Sequence, residues 1–196
     1  MRIVKLFSAV FALVVIAGCA HPIVLSPDVS KIERGANDQL INKNVGYYIS
    51  PETREKAAES AGGGGDKVSY YPYKDTEGGF YKMLSNVFSN VTLLKSPNDK
   101  DAVNQRAIKY VIIPEITTTS SSPSPFTWPP TLFTINLTCK ISDANGNPVS
   151  NISVVGEGRA EFDEFKSDFS LAGKRAAHDA LTKMQARLLQ APELRK

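Results

Sequence analysis

Strict alternation of hydrophobic and polar residues marks one of the longest strands that the sequence predicts. Over residues 132–142, one face of the strand is apolar and carries Phe133, Ile135, Leu137, Cys139 and Ile141. An Asn-Gly pair then supplies the left-handed positions of a hairpin turn, and the return strand covers 149–162. Gly156 and Gly158 lie on the core face of that strand, which predicts a bend or the close approach of another element.

Helical periodicity predicts two amphipathic helices and one short polar helix. The first amphipathic helix covers 77–90, where apolar residues recur at every third or fourth position. The second covers 170–190, and the small residues near its start allow close packing on a sheet. The polar helix covers 53–60 and follows a Ser-Pro start signal, in which Ser caps the helix and Pro occupies its first position.

The order of these elements predicts the fold class. Apolar segments predict further strands at 45–49, 68–73, 91–94 and 108–119. Helices gathered mainly on one face of a largely antiparallel sheet form an α+β two-layer sandwich. We therefore predict a single α+β domain over residues 45–190, followed by a short C-terminal tail over 191–196.

The first 19 residues follow a different pattern. Arg2 and Lys5 precede an almost purely apolar run over 6–17, which is shorter than the roughly 20 residues that a membrane-spanning helix needs. A charged start, such a run and small residues at the cleavage point are typical of a signal peptide. Because Gly18 and Cys19 follow at once, residues 1–18 look like a bacterial lipoprotein signal peptide. Cleavage then falls between these two residues, and Cys19 carries acyl chains such as palmitate.

The residues after Cys19 predict where the domain lies. Ala20 stands where an Asp would favour inner-membrane retention in lipoproteins of enteric type, so we expect the outer membrane, with the domain facing the periplasm. Two or more acyl chains give a stable membrane anchor, at about 0.8 kcal/mol per buried CH₂ group. Residues 19–44 combine two prolines with scattered polar groups, which predicts an extended tether. Folding of this segment onto the domain as an edge is the equal alternative.

Composition narrows the class of function. The formal net charge of +3 falls to +1 when Arg2 and Lys5 leave with the signal peptide, and no basic stripe predicts a nucleic-acid partner. Besides the lipidated Cys19, the chain has only Cys139, whose core-facing position favours inert packing over redox chemistry. The two histidines have no metal-ligand spacing. We expect no cofactor, no metal and no enzymatic activity, because no nucleophile stands beside a base in a recognisable motif.

A proline-rich loop at 123–130 holds the best candidates for partner binding. Proline lowers the entropy that is lost on docking. Phe126 and Trp128, the latter being the only Trp of the chain, are large residues of the kind found in interfaces. With Pro129 and Pro130 they form the predicted partner-binding surface. The equally weighted alternative is that both rings fold back over the core of their own domain.

Two further segments favour ordinary structural roles. Four consecutive glycines at 62–65 lack the Gly-Lys-Ser/Thr continuation of a phosphate-binding loop, so we expect a flexible loop. Acidic residues gathered at 157–168 have oxygen ligands that a cation could use. Their alternation along the strand instead indicates an exposed strand face.

The lipobox, the segment 23–29 and the order of strands and helices resemble small Gram-negative outer-membrane lipoproteins of the YajG-like kind. More distantly, they resemble accessory lipoproteins with a compact α/β domain, such as those that serve polysaccharide export. This resemblance implies a membrane-anchored periplasmic lipoprotein. It implies a non-enzymatic role in binding or assembling an envelope protein complex. The alternative is a lipoprotein that binds a small ligand or a lipid in an apolar cavity.

Overall fold

The computed structural model describes residues 20–124 and 127–196. Gly18, the predicted lipidation residue Cys19 and the rest of the predicted signal peptide lie outside the described residues, as does the loop residue Phe126.

The described residues form eight strands, five α-helices and two 3-10 turns. The strands are β1 (His21–Pro22), β2 (Ile41–Tyr47), β3 (Ala58–Ala61), β4 (Lys67–Tyr70), β5 (Phe88–Leu93), β6 (Ile108–Ser121), β7 (Leu132–Asp143) and β8 (Pro148–Arg159). The helices are α1 (Pro51–Arg54), α2 (Pro72–Val87), α3 (Lys100–Gln105), α4 (Phe162–Phe165) and α5 (Leu171–Leu189). The 3-10 turns cover Val29–Lys31 and Pro192–Arg195.

The main sheet has five strands in the order β5-β2-β6-β7-β8. Strands β5, β2 and β6 run parallel, whereas β6, β7 and β8 form an antiparallel meander. The α+β class is confirmed, but the sheet is mixed rather than largely antiparallel. The reason lies in the connections, because the links that contain α2 and α3 return the chain in the same direction, while the Asn-Gly hairpin reverses it. A smaller sheet has the order β1-β4-β3.

The two long helices pack side by side on one face of the main sheet. Helix α5 contacts β7 and β8, and α2 contacts α5, β5 and β6. The core between these layers is filled by fully buried side chains, among them Leu25, Met83, Leu84, Ile112, Phe133 and Met184. The short helix α3 covers a small second cluster, formed by Leu94, Ile108 and Val111. The helices therefore lie mainly on one face, as predicted.

The segment predicted as a tether over 19–44 packs on the domain from His21 onward. Ile23, Leu25 and Ile32 are buried, at 4%, 0% and 1% exposure. The N–H of Ile23 donates to the Ser69 carbonyl at 2.9 Å, and the N–H of Leu25 donates to Oδ2 of Asp75 at 3.0 Å. Of the two equal alternatives for this segment, folding onto the domain as an edge is confirmed in the described part, and the extended tether is wrong there. Burial between α2 and α5 removes the apolar side chains of this segment from water, which lowers the free energy of the folded state.

A buried pair of amides holds the same segment between the two helices. Nδ2 of Asn86 on α2 donates to the Ile32 carbonyl at 2.9 Å and to Oε1 of Gln185 on α5 at 2.8 Å. Nε2 of Gln185 in turn donates to the Glu33 carbonyl at 2.8 Å. The segment thus provides hydrogen-bond partners for buried polar groups of the two helices. Without these partners, their burial would cost free energy.

Two other local predictions are wrong. The C-terminal tail over 191–196 is part of the domain, because Leu194 is fully buried and Nη2 of Arg195 donates to the Leu189 carbonyl at 2.9 Å. The polar helix predicted over 53–60 stops at Arg54, and the chain then enters β3. Its start is as predicted, since Oγ of Ser50 accepts a hydrogen bond from the Thr53 N–H.

The two glycines of β8 allow helix α5 to approach the sheet closely. A Cβ atom at Gly156 would collide with the backbone of Ala176 and Ala180, and one at Gly158 would collide with the backbone of Ala172 and Ala176. The predicted close approach is therefore confirmed, and the approaching element is α5.

We expect Gly158→Ala to lower the free energy of unfolding by about 1–3 kcal/mol, because backbone atoms of α5 must move to admit the methyl group. Urea denaturation followed by circular dichroism measures this loss. Gly78→Ala is the matched control, since a Cβ at this exposed helical glycine meets nothing within 4 Å. The control should be neutral or stabilising by up to about 1 kcal/mol. Equal effects of the two substitutions would contradict the close approach.

Candidate functional site

Two loops that the sequence did not connect meet at one end of the domain. The N–H of Gly63 donates to the Trp128 carbonyl at 2.9 Å. A Cβ at Gly62 would collide with the carbonyl oxygen of Trp128, and one at Gly63 with that of Thr127. The first two glycines of the run are therefore needed for contact between the loops. The third and fourth have φ angles of 67° and 91°, which glycine adopts without strain.

Trp128 lies between two aromatic rings from distant parts of the chain. The His21 ring stacks on it, with centroids 4.2 Å apart and an interplanar angle of 22°. The Phe169 ring packs against it at 4.9 Å and 54°. His21 is held there by the pairing of β1 with β4, and its Nε2 lies 3.7 Å from Oδ2 of Asp66. This aromatic cluster of His21, Trp128 and Phe169 forms one end of the domain.

The structure locates the predicted partner-binding residues as follows. Trp128 is half-buried and packs against the core, and Pro129 and Pro130 are buried. These three residues therefore adopt the alternative arrangement, in which the loop folds back over its own domain. Phe126 lies outside the described residues, and the role of the loop in partner binding stays a prediction.

Sequence reasoning missed His21 and Phe169. His21 lies in a segment interpreted as a tether. Phe169 directly precedes Ser170, the N-cap of α5. The fourth residue of α5 is Lys174, so the apolar pair that often marks a helix start is absent and no local pattern points to Phe169.

An exposed apolar patch continues from the aromatic cluster. Phe162 is 62% exposed, Phe169 46% and Leu132 41%. A groove of about 250 Å³ connects the Trp128 loop to α4, and its lining includes Thr127, Leu132, Phe162 and Phe165. Single exposed apolar residues are ordinary, whereas a contiguous group marks a surface that meets something other than water.

The acidic residues beside this patch are paired with basic ones. Arg175 binds Glu164 through two hydrogen bonds, of 2.7 and 3.0 Å. These bonds, together with the bond from the Glu161 N–H, lower the pKa of Glu164 to about 2. Three further ion pairs surround it, namely Glu161 with Arg159, Asp163 with Lys166, and Asp168 with Lys174. Within residues 20–124 and 127–196, no group of three or more His, Cys, Asp or Glu side chains could hold a metal ion.

Side chains of α5 cover part of the free edge of β8. Nζ of Lys183 donates to the Val155 carbonyl at 3.0 Å, and the Glu157 N–H donates to Oδ2 of Asp179 at 2.9 Å. Arg175 donates to the Arg159 carbonyl at 2.7 Å. These contacts satisfy the outward backbone groups of the second half of β8, where an unpaired edge would otherwise recruit another strand.

The first half of β8 has no such cover. Because alternate residues of a strand point to the same edge, Asn151 and Ser153 share the outward direction of Val155. In the part of the chain that the structure describes, no side chain hydrogen-bonds to the backbone of either residue. Beside them lies a groove of about 400 Å³, whose lining includes Ile152, Arg187 and Glu193. We call residues 150–153 and this groove the open edge of β8.

Cys139 lies on the core face of β7, as predicted, and is 0% exposed. Burial raises the pKa of its thiol to about 12. The neutral thiol is a poor nucleophile, so the side chain acts as a small apolar residue.

We expect Trp128→Ala to lower the free energy of unfolding by about 1–3 kcal/mol, because the substitution removes two aromatic contacts and part of the core cover. Urea denaturation followed by circular dichroism measures the change. Tyr81→Ala removes an aromatic ring that is 47% exposed, and it should change stability by no more than about 0.5 kcal/mol. A Trp128→Ala effect as small as that of the control would show that the loop does not support the fold.

The ion pair of Glu164 makes stability depend on pH. Its pKa is about 2 in the folded protein against an ordinary 4.5. The pair therefore stabilises the folded state above pH 4.5, and this contribution is lost as the pH falls through 2. We expect the wild type to melt at a higher temperature than Glu164→Gln at pH 7, with the difference disappearing at low pH. Asp163→Asn controls for the loss of one negative charge from the same turn. A difference in Tm that does not change with pH would contradict this account.

Comparisons with known proteins identify a fold but no family. No protein-family model matches the chain, and no curated protein matches it in sequence. Protein XCC0632 from Xanthomonas campestris, of the family DUF330, is similar in structure at 10% sequence identity. The alignment covers 87% of this chain and 90% of that protein, with a TM-score of 0.50. A minor lipoprotein from Acinetobacter baumannii is 12% identical, with coverage of 77% and 95% and a TM-score of 0.45. The chain shares the small α+β fold of the Xanthomonas protein.

Proposed function

We propose that the protein is a lipid-anchored binding domain of the bacterial envelope, without enzymatic activity of its own. Acyl chains on Cys19 hold it on the outer membrane with the domain in the periplasm. Its role is to bind an extended strand of an envelope protein along the open edge of β8, as an accessory of a larger complex.

The sequence of the first 19 residues supports the proposed lipid anchor. A charged start, a short apolar run and small residues directly before Cys19 agree with the pattern of a lipoprotein signal. None of the helices within residues 20–124 and 127–196 has the length and the apolar character needed to cross a bilayer.

The open edge of β8 is the observation that carries the binding role. Natural sheets usually protect free edges, and α5 does this for the second half of the strand. The first half keeps the outward N–H and C=O groups of Asn151 and Ser153 beside a groove. A partner strand can satisfy these groups and place its side chains against Ile152 and Arg187.

The packing of the interior favours protein binding over the alternative of a ligand-binding lipoprotein. A small-ligand or lipid site needs a concave apolar cavity between the helices and the sheet. That space is occupied by Leu25, Met83 and Met184, each 0% exposed. The acidic residues Glu164 and Asp168 are engaged in ion pairs with Arg175 and Lys174.

In-cell photo-crosslinking tests the binding role. A photoreactive residue replacing the exposed Asn151 should form a discrete adduct with an envelope protein in intact cells. Ser153→Pro should abolish the adduct, because proline removes an outward N–H and its ring blocks strand pairing. Ser153→Ala is the matched control and should retain the adduct, since its backbone is unchanged.

Circular dichroism melts test whether both variants fold, which we expect because proline is tolerated on an edge whose N–H faces outward. An adduct that survives Ser153→Pro would contradict pairing at this edge. Crosslinks to lipid and peptidoglycan alone would contradict a protein partner.

A further inference from the structure

The position of His21 places the proposed anchor next to the aromatic cluster. Cys19 precedes His21 by two residues. Each residue spans at most about 3.6 Å, so the Cα atom of Cys19 is within about 7 Å of that of His21. His21 itself stacks on Trp128. Acyl chains on Cys19 therefore emerge at this end of the domain, because only Ala20 separates Cys19 from His21 in the sequence.

The exposed apolar patch lies at the same end. Phe162 and Phe169 are the two exposed Phe residues in the part of the chain that the structure describes. Phe169 contacts Trp128, and the groove lined by Leu132 and Phe162 runs alongside Thr127. A bilayer that receives acyl chains from Cys19 lies within reach of these side chains.

We propose that this end of the domain is a membrane seat, in which Trp128, Phe162, Phe169 and Leu132 contact the interface of the bilayer that holds the acyl chains. The proposal rests on the anchor of the proposed function and deepens it, since it adds a second contact with lipid that fixes the orientation of the domain. Trp residues favour the headgroup region, where an apolar ring and a polar N–H are both satisfied.

The charges around the seat indicate which lipids it binds. Four ion pairs surround Phe162 and the start of α5, and they join Glu161, Asp163, Glu164 and Asp168 to Arg159, Lys166, Arg175 and Lys174. Each basic group is neutralised by an acidic partner, unlike the unpaired lysines and arginines that attract anionic lipids. The seat should therefore bind zwitterionic and anionic bilayers alike.

Strand β8 links the seat to the open edge. Arg159 lies beside α4 at the seat, and Ile152 lies at the open edge, seven residues away. At about 3.3 Å per residue, the two are separated by roughly 23 Å. This separation along the strand allows a seated domain to hold its binding edge clear of the headgroups.

Trp128 is the only Trp of the chain, so its fluorescence reports contact with lipid directly. The test uses the mature lipoprotein, purified from membranes and reconstituted in phosphatidylcholine vesicles with or without bromine on the acyl chains. We expect the emission to be reduced in brominated vesicles, and equally so when phosphatidylglycerol is added. Vesicle flotation and the intact mass, which includes the acyl chains, are measured on the same sample.

The outcomes separate the two proposals. A protein that lacks acyl chains and does not float contradicts the anchor, and the seat with it. An acylated protein that floats but has the same Trp128 emission in both kinds of vesicle overturns the seat alone. Emission that varies with protein concentration, and not with bromine, assigns the patch to a second copy of the chain and also overturns the seat.

Two matched variants test the position of the seat. Phe162→Asp introduces a charge at the most exposed apolar residue of the patch, and it should reduce the loss of emission caused by bromine. Val155→Asp introduces the same charge in the middle of β8, four residues before Arg159, at a residue that is 46% exposed, and it should leave that loss unchanged. Identical quenching in the wild type and in Phe162→Asp would overturn the assignment of this patch.

Discussion

The burial of the N-terminal segment between α2 and α5 is the constraint on which the rest of the structure depends. Leu25 lies against Gly173 of α5, where a Cβ would approach Cδ2 of Leu25 to 2.5 Å. On α2, a Cβ at Gly79 would approach Pro27 to 2.9 Å. Small residues on both helices thus form a groove that the segment fills. Because the helices contact each other partly through this segment, its position and the helix layer are determined together.

The sequence predicted the elements whose information is local. Alternation located β7, and the Asn-Gly turn located the hairpin to β8. Pro114 lacks an N–H, and a proline within a strand indicates an edge or a bulge. It lies within β6 at a point where β2 has already ended, so the N–H that proline lacks would face no neighbouring strand on that side. The class of fold follows from these elements and from the helix periodicity.

The features that were missed depend on distant residues. The apolar residues of segment 23–32 are too few and too close to prolines to show a period, so their burial is decided only by the groove. At the candidate site, Trp128 was identified from its residue type. Its contact with His21 joins residues 107 positions apart, and no local pattern records such a contact. Strand β3 was missed because it is short and owes its pairing to β4.

In the proposed arrangement, the short distance in sequence from Cys19 to His21 changes how a partner can be found. A domain on a long tether explores a volume above the membrane, and the length of its linker sets its capture radius. A domain seated on the bilayer instead searches in two dimensions and presents its edge at a constant height. Recognition is then limited to proteins that bring a strand to that height, so the spacing between membrane and edge becomes part of the specificity.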